Sequence, residues 1–324
     1  MRSVRKIYLS SIAVTFFLLI FGTVTYAWIG LSNVNTIENM SLTATTGNQL
    51  EISLDGTNYS RTLSSDTLED LFGRIELADV TTRDLVTFES GGLNESREVI
   101  ANKSYLTFDL WFRTTERERH IYLVNNKSDV VTYDSPSSGT FVVSRGVNWR
   151  APTTFINGPD MSDIVEEDQE GIYYASDAVR IGVKELNDPE NELDERDEEQ
   201  LETLIFDPSE NPDRGYGKAY GAFSYFVAKT GLQSFSLPDQ KPETTYRLTE
   251  FAPFNPYIPL NDDSLIAELL PSGEEDEEGR PYLKGKVRVS VWVEGWDADA
   301  FDAIARDRIK IQLEFKAGYK NGIY

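Results

Sequence analysis

An antiparallel β-sandwich with a few short helices and long acidic loop insertions is the fold class this sequence predicts. Three observations predict it. Short apolar runs of period two recur along the 324 residues, parted by Gly, Asn, Asp and Pro. Helical periodicity is confined to brief stretches, so the strands are not interleaved with the crossover helices of a parallel sheet. Apolar residues make up 40% and charged residues 26%, which leaves ample material for a packed core.

Asn39–Thr45 alternates around Met40, Leu42 and Ala44, and Leu50–Leu54 alternates strictly into the turn pair Asp55-Gly56. Ser65–Phe72 reads as a short helix. Tyr105–Phe112 is rich in aromatics and suits a buried strand. The charged stretch Glu116–His120 then reads as a hairpin tip before Ile121–Val124. Thr140–Val143 is a further strand, and Ala178–Val183 places Val179, Ile181 and Val183 on one face. Residues 185–282 have weak periodicity and read as an insertion. Within it, the acidic runs Asn187–Gln200 and Glu274–Glu278 are expected as solvated loops and Ser264–Leu270 as a helix. Near the end, Lys286–Glu294 puts Val287, Val289, Val291 and Val293 on one side and Arg288, Ser290, Trp292 and Glu294 on the other. Asp297–Arg306 reads as a helix capped by Asp297 or Asp299, with Phe301 and Ile304 inward. Arg308–Phe315 closes the pattern with another alternating strand.

The net charge of −23 argues against nucleic acid, whose binding rests on Lys and Arg neutralising phosphates, and against anionic lipid headgroups. There is no cysteine, which removes disulfides, thiolate nucleophiles and Cys-ligated zinc.

Arg2, Arg5 and Lys6 precede Ile7–Leu31, a run without a single charge. The basic flank stays in the cytoplasm, so the remainder is expected outside the membrane, extracellular or at the cell surface. Thr25-Tyr26-Ala27 offers small residues for signal cleavage after Ala27, making residues 1–27 a signal peptide. Left uncleaved, about 25 residues at about 1.5 Å each would span the ~30 Å hydrocarbon core as a single-pass anchor. Both readings stand on the sequence alone.

Chemistry is sparse. The one histidine, His120, is expected on an exposed loop, and neither a Gly-x-Ser-x-Gly elbow nor a His-Glu-x-x-His pair accompanies it. Gly215-Tyr216-Gly217-Lys218 lacks the spacing of a phosphate loop. No catalytic residue and no organic cofactor is therefore expected. Calcium is the one metal the sequence raises, at Asp297, Asp299 and Asp302, with helix capping as the competing explanation.

Three stretches together resemble a family. Gly22–Trp28 is similar to signal peptides processed by the dedicated SipW-type signal peptidase. Ser41–Gly47 runs into Leu50–Gly56, and Val291–Phe301 leads to the strand ending at Phe315. The chain thereby resembles the TasA/camelysin family of exported proteins of low-GC Gram-positive bacteria and their wall-less relatives. The likeness covers the first 60 or so and last 45 or so residues with the 178–183 strand. It implies a jelly-roll-like sandwich whose members build extracellular fibres, the N-terminal segment of one subunit completing the sheet of the next. Residues 28–37 match that donor strand, with Trp28, Leu31, Val34 and Ile37 as its apolar contacts. The metalloprotease label of camelysin is not carried over, because no histidine-based zinc motif is present.

The leading expectation is thus an exported structural protein, not an enzyme, with its β-sandwich domain over residues 38–324, that self-associates into a surface fibre or matrix. The alternatives are a membrane-anchored binding module for a glycan or cation, and a secreted hydrolase working through carboxylates.

Overall fold

In the computed structural model of the protein, the described residues are 34–45, 49–73, 75–92, 98–125, 130–135, 138–188, 191–231 and 242–321. Nineteen strands follow in chain order. The first six are β1 (Asn35–Ala44), β2 (Glu51–Ser53), β3 (Thr62–Leu63), β4 (Glu76–Leu77), β5 (Asp79–Thr82) and β6 (Phe88–Ser90). The middle group is β7 (Leu106–Thr114), β8 (His120–Leu123), β9 (Phe141–Ser144), β10 (Val147–Arg150), β11 (Phe155–Ile156), β12 (Ile164–Val165) and β13 (Glu170–Tyr173). The last are β14 (Val179–Leu186), β15 (Thr203–Phe206), β16 (Leu265–Glu268), β17 (Leu270–Glu275), β18 (Pro281–Glu294) and β19 (Arg308–Gly318). Two α-helices join them, α1 (Ser65–Phe72) and α2 (Ala222–Thr230).

The protein is mainly β, with two large sheets packed face to face and pairing that is mostly antiparallel. The first sheet runs β16-β8-β19-β1-β3, with β4 also on β1 and β9 also on β19. The second runs β15-β14-β18-β5-β6, with β17 and β7 on β18, and β2 on β7. Period-two alternation builds the space between them. From the second sheet come Val179, Ile181, Val183, Val287, Val289, Val291 and Val293, and from the first Ile309, Ile311, Leu313 and Phe315, in one core cluster. Phe112 and Phe315 meet edge-on across the layers at 5.1 Å between centroids.

Two pairings are parallel, β1 with β19 and β18 with β5. The first of these sets the polarity of the domain. Because β1 and β19 run side by side in one direction, the chain enters β1 at Val34 at one pole and leaves β19 toward Tyr319 at the other. Eleven residues of β19 at about 3.3 Å each separate the poles by roughly 33 Å.

The outer face of the second sheet is itself covered, which the sequence pattern does not disclose. Trp292, Val80, Leu85, Tyr105 and Ile205 form a separate cluster there. Gly182 is a close approach: a Cβ on it would lie 2.4 Å from Leu85 Cδ2. A third cluster lies around Phe155, Tyr225 and Phe301, where α2 and the small ribbons β10–β13 and β11–β12 pack together.

Several expectations need correction. Ser264–Leu270 is not a helix: Leu265–Glu268 is strand β16, paired with β8, and its buried run Leu265-Ile266-Ala267 sits in the sandwich. Asp297–Arg306 is a series of turns with one short 3-10 stretch at Asp302–Ile304, although Phe301 and Ile304 do point inward. Glu116–His120 does not cap a hairpin, because β7 and β8 belong to different sheets. His120 is buried as the first residue of β8, not exposed on a loop. Residues 185–282 supply β15 and β17 to one sheet and β16 to the other, so this stretch is woven into the sandwich. Ser65–Phe72 is helical as expected, starting after Ser64 and ending at Gly73, whose positive φ of 65° lets its N–H donate to Glu69 O at 2.7 Å.

Candidate functional site

Two regions collect the residues of interest, one around the aspartates read as a calcium site and one around the start of β1. In the first, β14 and β18 place Arg180 and Trp292 opposite each other on the outer face of the second sheet. Arg180 is fully enclosed and its Nη2 donates to Asp297 Oδ2. Nη2 also lies 2.8 Å from Asp207 Oδ2, in ion contact but out of line for a hydrogen bond. Glu294, on the same face of β18, accepts from Trp292 Nε1 at 3.1 Å and from the Trp296 N–H at 3.2 Å. One guanidinium thus faces three buried carboxyl groups. Burial pushes Glu294 up to about 7. Burial likewise raises Asp297 and Asp207, each against the opposing pull of Arg180. All three ionised beside one buried cation would leave an excess of negative charge, and burial raises each of them accordingly.

Asp299 and Asp302 do not join Asp297 around a common point. Asp299 is held by Arg214, whose Nη2 and Nε donate to it at 2.6 and 2.9 Å. Asp302 accepts from Tyr225 Oη at 2.8 Å and pairs with Lys229. Asp297 Oδ1 accepts the Asp299 N–H at 2.9 Å within a turn and caps no helix, since the one short 3-10 stretch there begins after Phe301. Asp297, Asp299 and Asp302 therefore each face a different basic side chain, Arg180, Arg214 and Lys229, of which Arg180 is shared with Asp207. Among the described residues, no three His, Cys, Asp or Glu side chains come together as a metal-ion site. Asp194 is likewise paired: Arg196 bridges it and the buried Glu185 of β14, both at 2.8 Å.

His120 belongs to neither region. Burial lowers its pKa, and Glu268, 3.8 Å away, is already paired with Arg119 at 2.9 Å.

The second region lies at the pole where β1 begins. β3 pairs with β1 at Leu42–Thr43 and β4 at Asn35–Thr36. Between those contacts Glu38–Ser41 has no strand partner on that side among the described residues. α1, which joins β3 to β4, stands over this gap and leaves a groove of about 260 Å³. Its apolar walls are Ile37, Met40, Leu68, Phe72, Ile75 and Leu106, with Glu38, Glu69 and Arg308 on the rim.

Of the four residues read as donor-strand contacts, Trp28 and Leu31 lie outside the described residues, as do Ala27 and the apolar run 7–31. Val34 is half-buried just before β1. Ile37 corrects that reading, because it is paired with Ile309 within its own sheet and packs on its own core. No helix among the described residues is long and apolar enough to cross a membrane.

By its layers and pairing the protein belongs to the mainly-β, sandwich-like class. No protein-family profile, no curated protein and no solved structure matches the chain.

Proposed function

We propose that the chain is an exported structural protein, a subunit of an extracellular fibre or matrix that joins its neighbours through its N-terminal segment. The observation that carries this reading is the polarity set by β1 and β19. β1 begins at one pole of the sandwich and β19, parallel to it, ends at the other. A subunit with a reaching segment at one end and a receiving body beyond it assembles head to tail. The uncharged run Ile7–Leu31 behind a basic start supports export, and residues 28–34 supply the apolar reach. The carboxylates that a hydrolase would need are engaged by Arg180, Arg214 and Lys229, which favours a structural role over a catalytic one.

Electron microscopy of protein purified from the producing cells, with N-terminal sequencing of the same material, tests the proposal. Fibres whose subunits begin at Trp28 are the expected result. Persistent monomers at every concentration would reject it.

A second reading, a membrane-anchored binding module, is favoured by one patch. Lys184, paired with Glu198, and Lys286 and Arg288, both paired with Asp109, line a pocket of about 330 Å³ beside Leu85 and Val86 on the second sheet. An intact Met1 on membrane-bound protein, with retention of an anionic glycan, distinguishes this reading from the first.

A further inference from the structure

At the pole opposite the β1 groove, the chain builds a projecting knob. Residues 251–260, Phe251-Ala252-Pro253-Phe254-Asn255-Pro256-Tyr257-Ile258-Pro259-Leu260, carry no charge in a chain where 26% of residues do. Short backbone bonds hold the loop in shape: Ala252 N–H donates to Ile258 O at 2.8 Å and Leu260 N–H to Glu250 O at 2.8 Å. Its base is fixed to the end of β19 and the residue after it. Tyr319 N–H donates to Tyr257 O at 2.9 Å, and Lys316 Nζ stands 4.0 Å from the Phe251 ring. At the tip, Phe254 is 84% exposed and Leu260 55%. Three prolines and these bonds make the tip stiff, so exposing it gains no flexibility that would explain it.

We propose that this knob docks in the groove between α1 and β1 of a second copy, with Phe254 as the side chain that enters it. This rests on the self-association put forward above and names the surfaces that make it. The two surfaces are complementary in chemistry, a stiff apolar projection and an apolar groove. They lie at opposite ends of β19, since Arg308 edges the groove and the residues around Gly318 hold the knob. A contact between different patches at opposite poles does not close on itself, so it adds copies in a line. Two bodies that each carry a large negative net charge repel over most of their surfaces, and an uncharged contact is where they approach most easily. β1 begins at the same pole as the groove.

The lack of cysteine makes the test clean. In the full chain, the double variant F254C/S65C puts one thiol on the knob and one on the groove wall. Mild oxidation of this variant is expected to give a ladder of linked dimers, trimers and higher species, while each single variant stops at dimers. F254D, at an exposed position that leaves folding intact, is expected to weaken self-association at least tenfold by sedimentation. Wild-type protein that assembles while the double variant gives no ladder and F254D assembles normally would overturn the docking but leave the structural reading in place. Wild-type protein that stays monomeric would remove both. Efficient intramolecular linkage in L31C/S65C would show the groove filled by the chain's own N-terminal segment, which also overturns the proposal.

Discussion

Arg180 and Asp297 form an ion pair in the covered outer layer of the second sheet, their side chains 2% and 1% exposed. Asp207 and Glu294 crowd the same guanidinium from neighbouring elements, so the pair is the centre of a charge cluster, not an isolated bridge. Removing the one cation leaves its carboxylates uncompensated. R180A is therefore expected to destabilise the fold by about 3–5 kcal/mol, read as a lowered urea midpoint. A loss under 1 kcal/mol would mean that the cluster is wetter than its burial implies.

The same cluster sets a pH dependence whose sign is opposite to that of most acidic proteins. Burial pushes Glu294 up to about 7 and Asp177 up to about 6, whereas both titrate near about 4 once unfolded. A raised folded-state value means that stability is present in full below about pH 4 and is lost as pH rises through 6 and 7. Carboxylates held low by backbone donors, such as Asp84 and Asp160, act in the other direction, but only below about pH 4. The unfolding free energy should fall by up to about 4 kcal/mol between pH 5 and pH 8, about two thirds of it from Glu294. E294Q should flatten that slope. Equal urea midpoints at pH 5 and pH 8 in the wild type would contradict it.

Gly92 and Gly295 are in backbone contact: a Cβ on Gly92 would lie 2.1 Å from Gly295 O, and one on Gly295 would lie 2.4 Å from the Gly91 carbonyl carbon. Neither neighbour can move without displacing the β5–β18 pairing. G295A is expected to lose several-fold more stability than G73A. Gly73 has nothing within 4 Å of its Cβ, so only the backbone strain of its φ of 65° and ψ of −155°, about 1–3 kcal/mol, is expected there. Thermal unfolding of the two variants side by side decides the matter.

Phe301 holds the third cluster, touching Trp149, Phe155, Tyr173 and Tyr225 at centroid distances of 5.3 to 5.7 Å. F301A should destabilise by about 3–5 kcal/mol and shift the tryptophan emission as Trp149 gains water. Unchanged emission with lowered stability would place the damage elsewhere.

Because Asp297, Asp299 and Asp302 each have a basic partner, millimolar calcium should leave the thermal midpoint within about 1 °C. A rise of several degrees, abolished by D299N, would reinstate calcium there.

The sequence by itself determined the fold class, the inward faces of the alternating strands and the α1 helix, because these depend on local period and turn chemistry. Val287 through Val293, Ile309 through Phe315 and Val179 through Val183 could be assigned to the core residue by residue. Only the tertiary structure decided what lay on the other side of each strand. Trp292, Arg180 and Glu294 alternate outward like any polar face, yet a second layer of residues from distant segments buries them. The same holds for Ser264–Leu270, whose short apolar run suits helix or strand equally until β8 offers an edge. The groove at β1 and the knob at Phe254 were invisible for a related reason. Each depends on which residues are left unpaired once everything else has packed, and a chain read one residue at a time carries no record of that remainder.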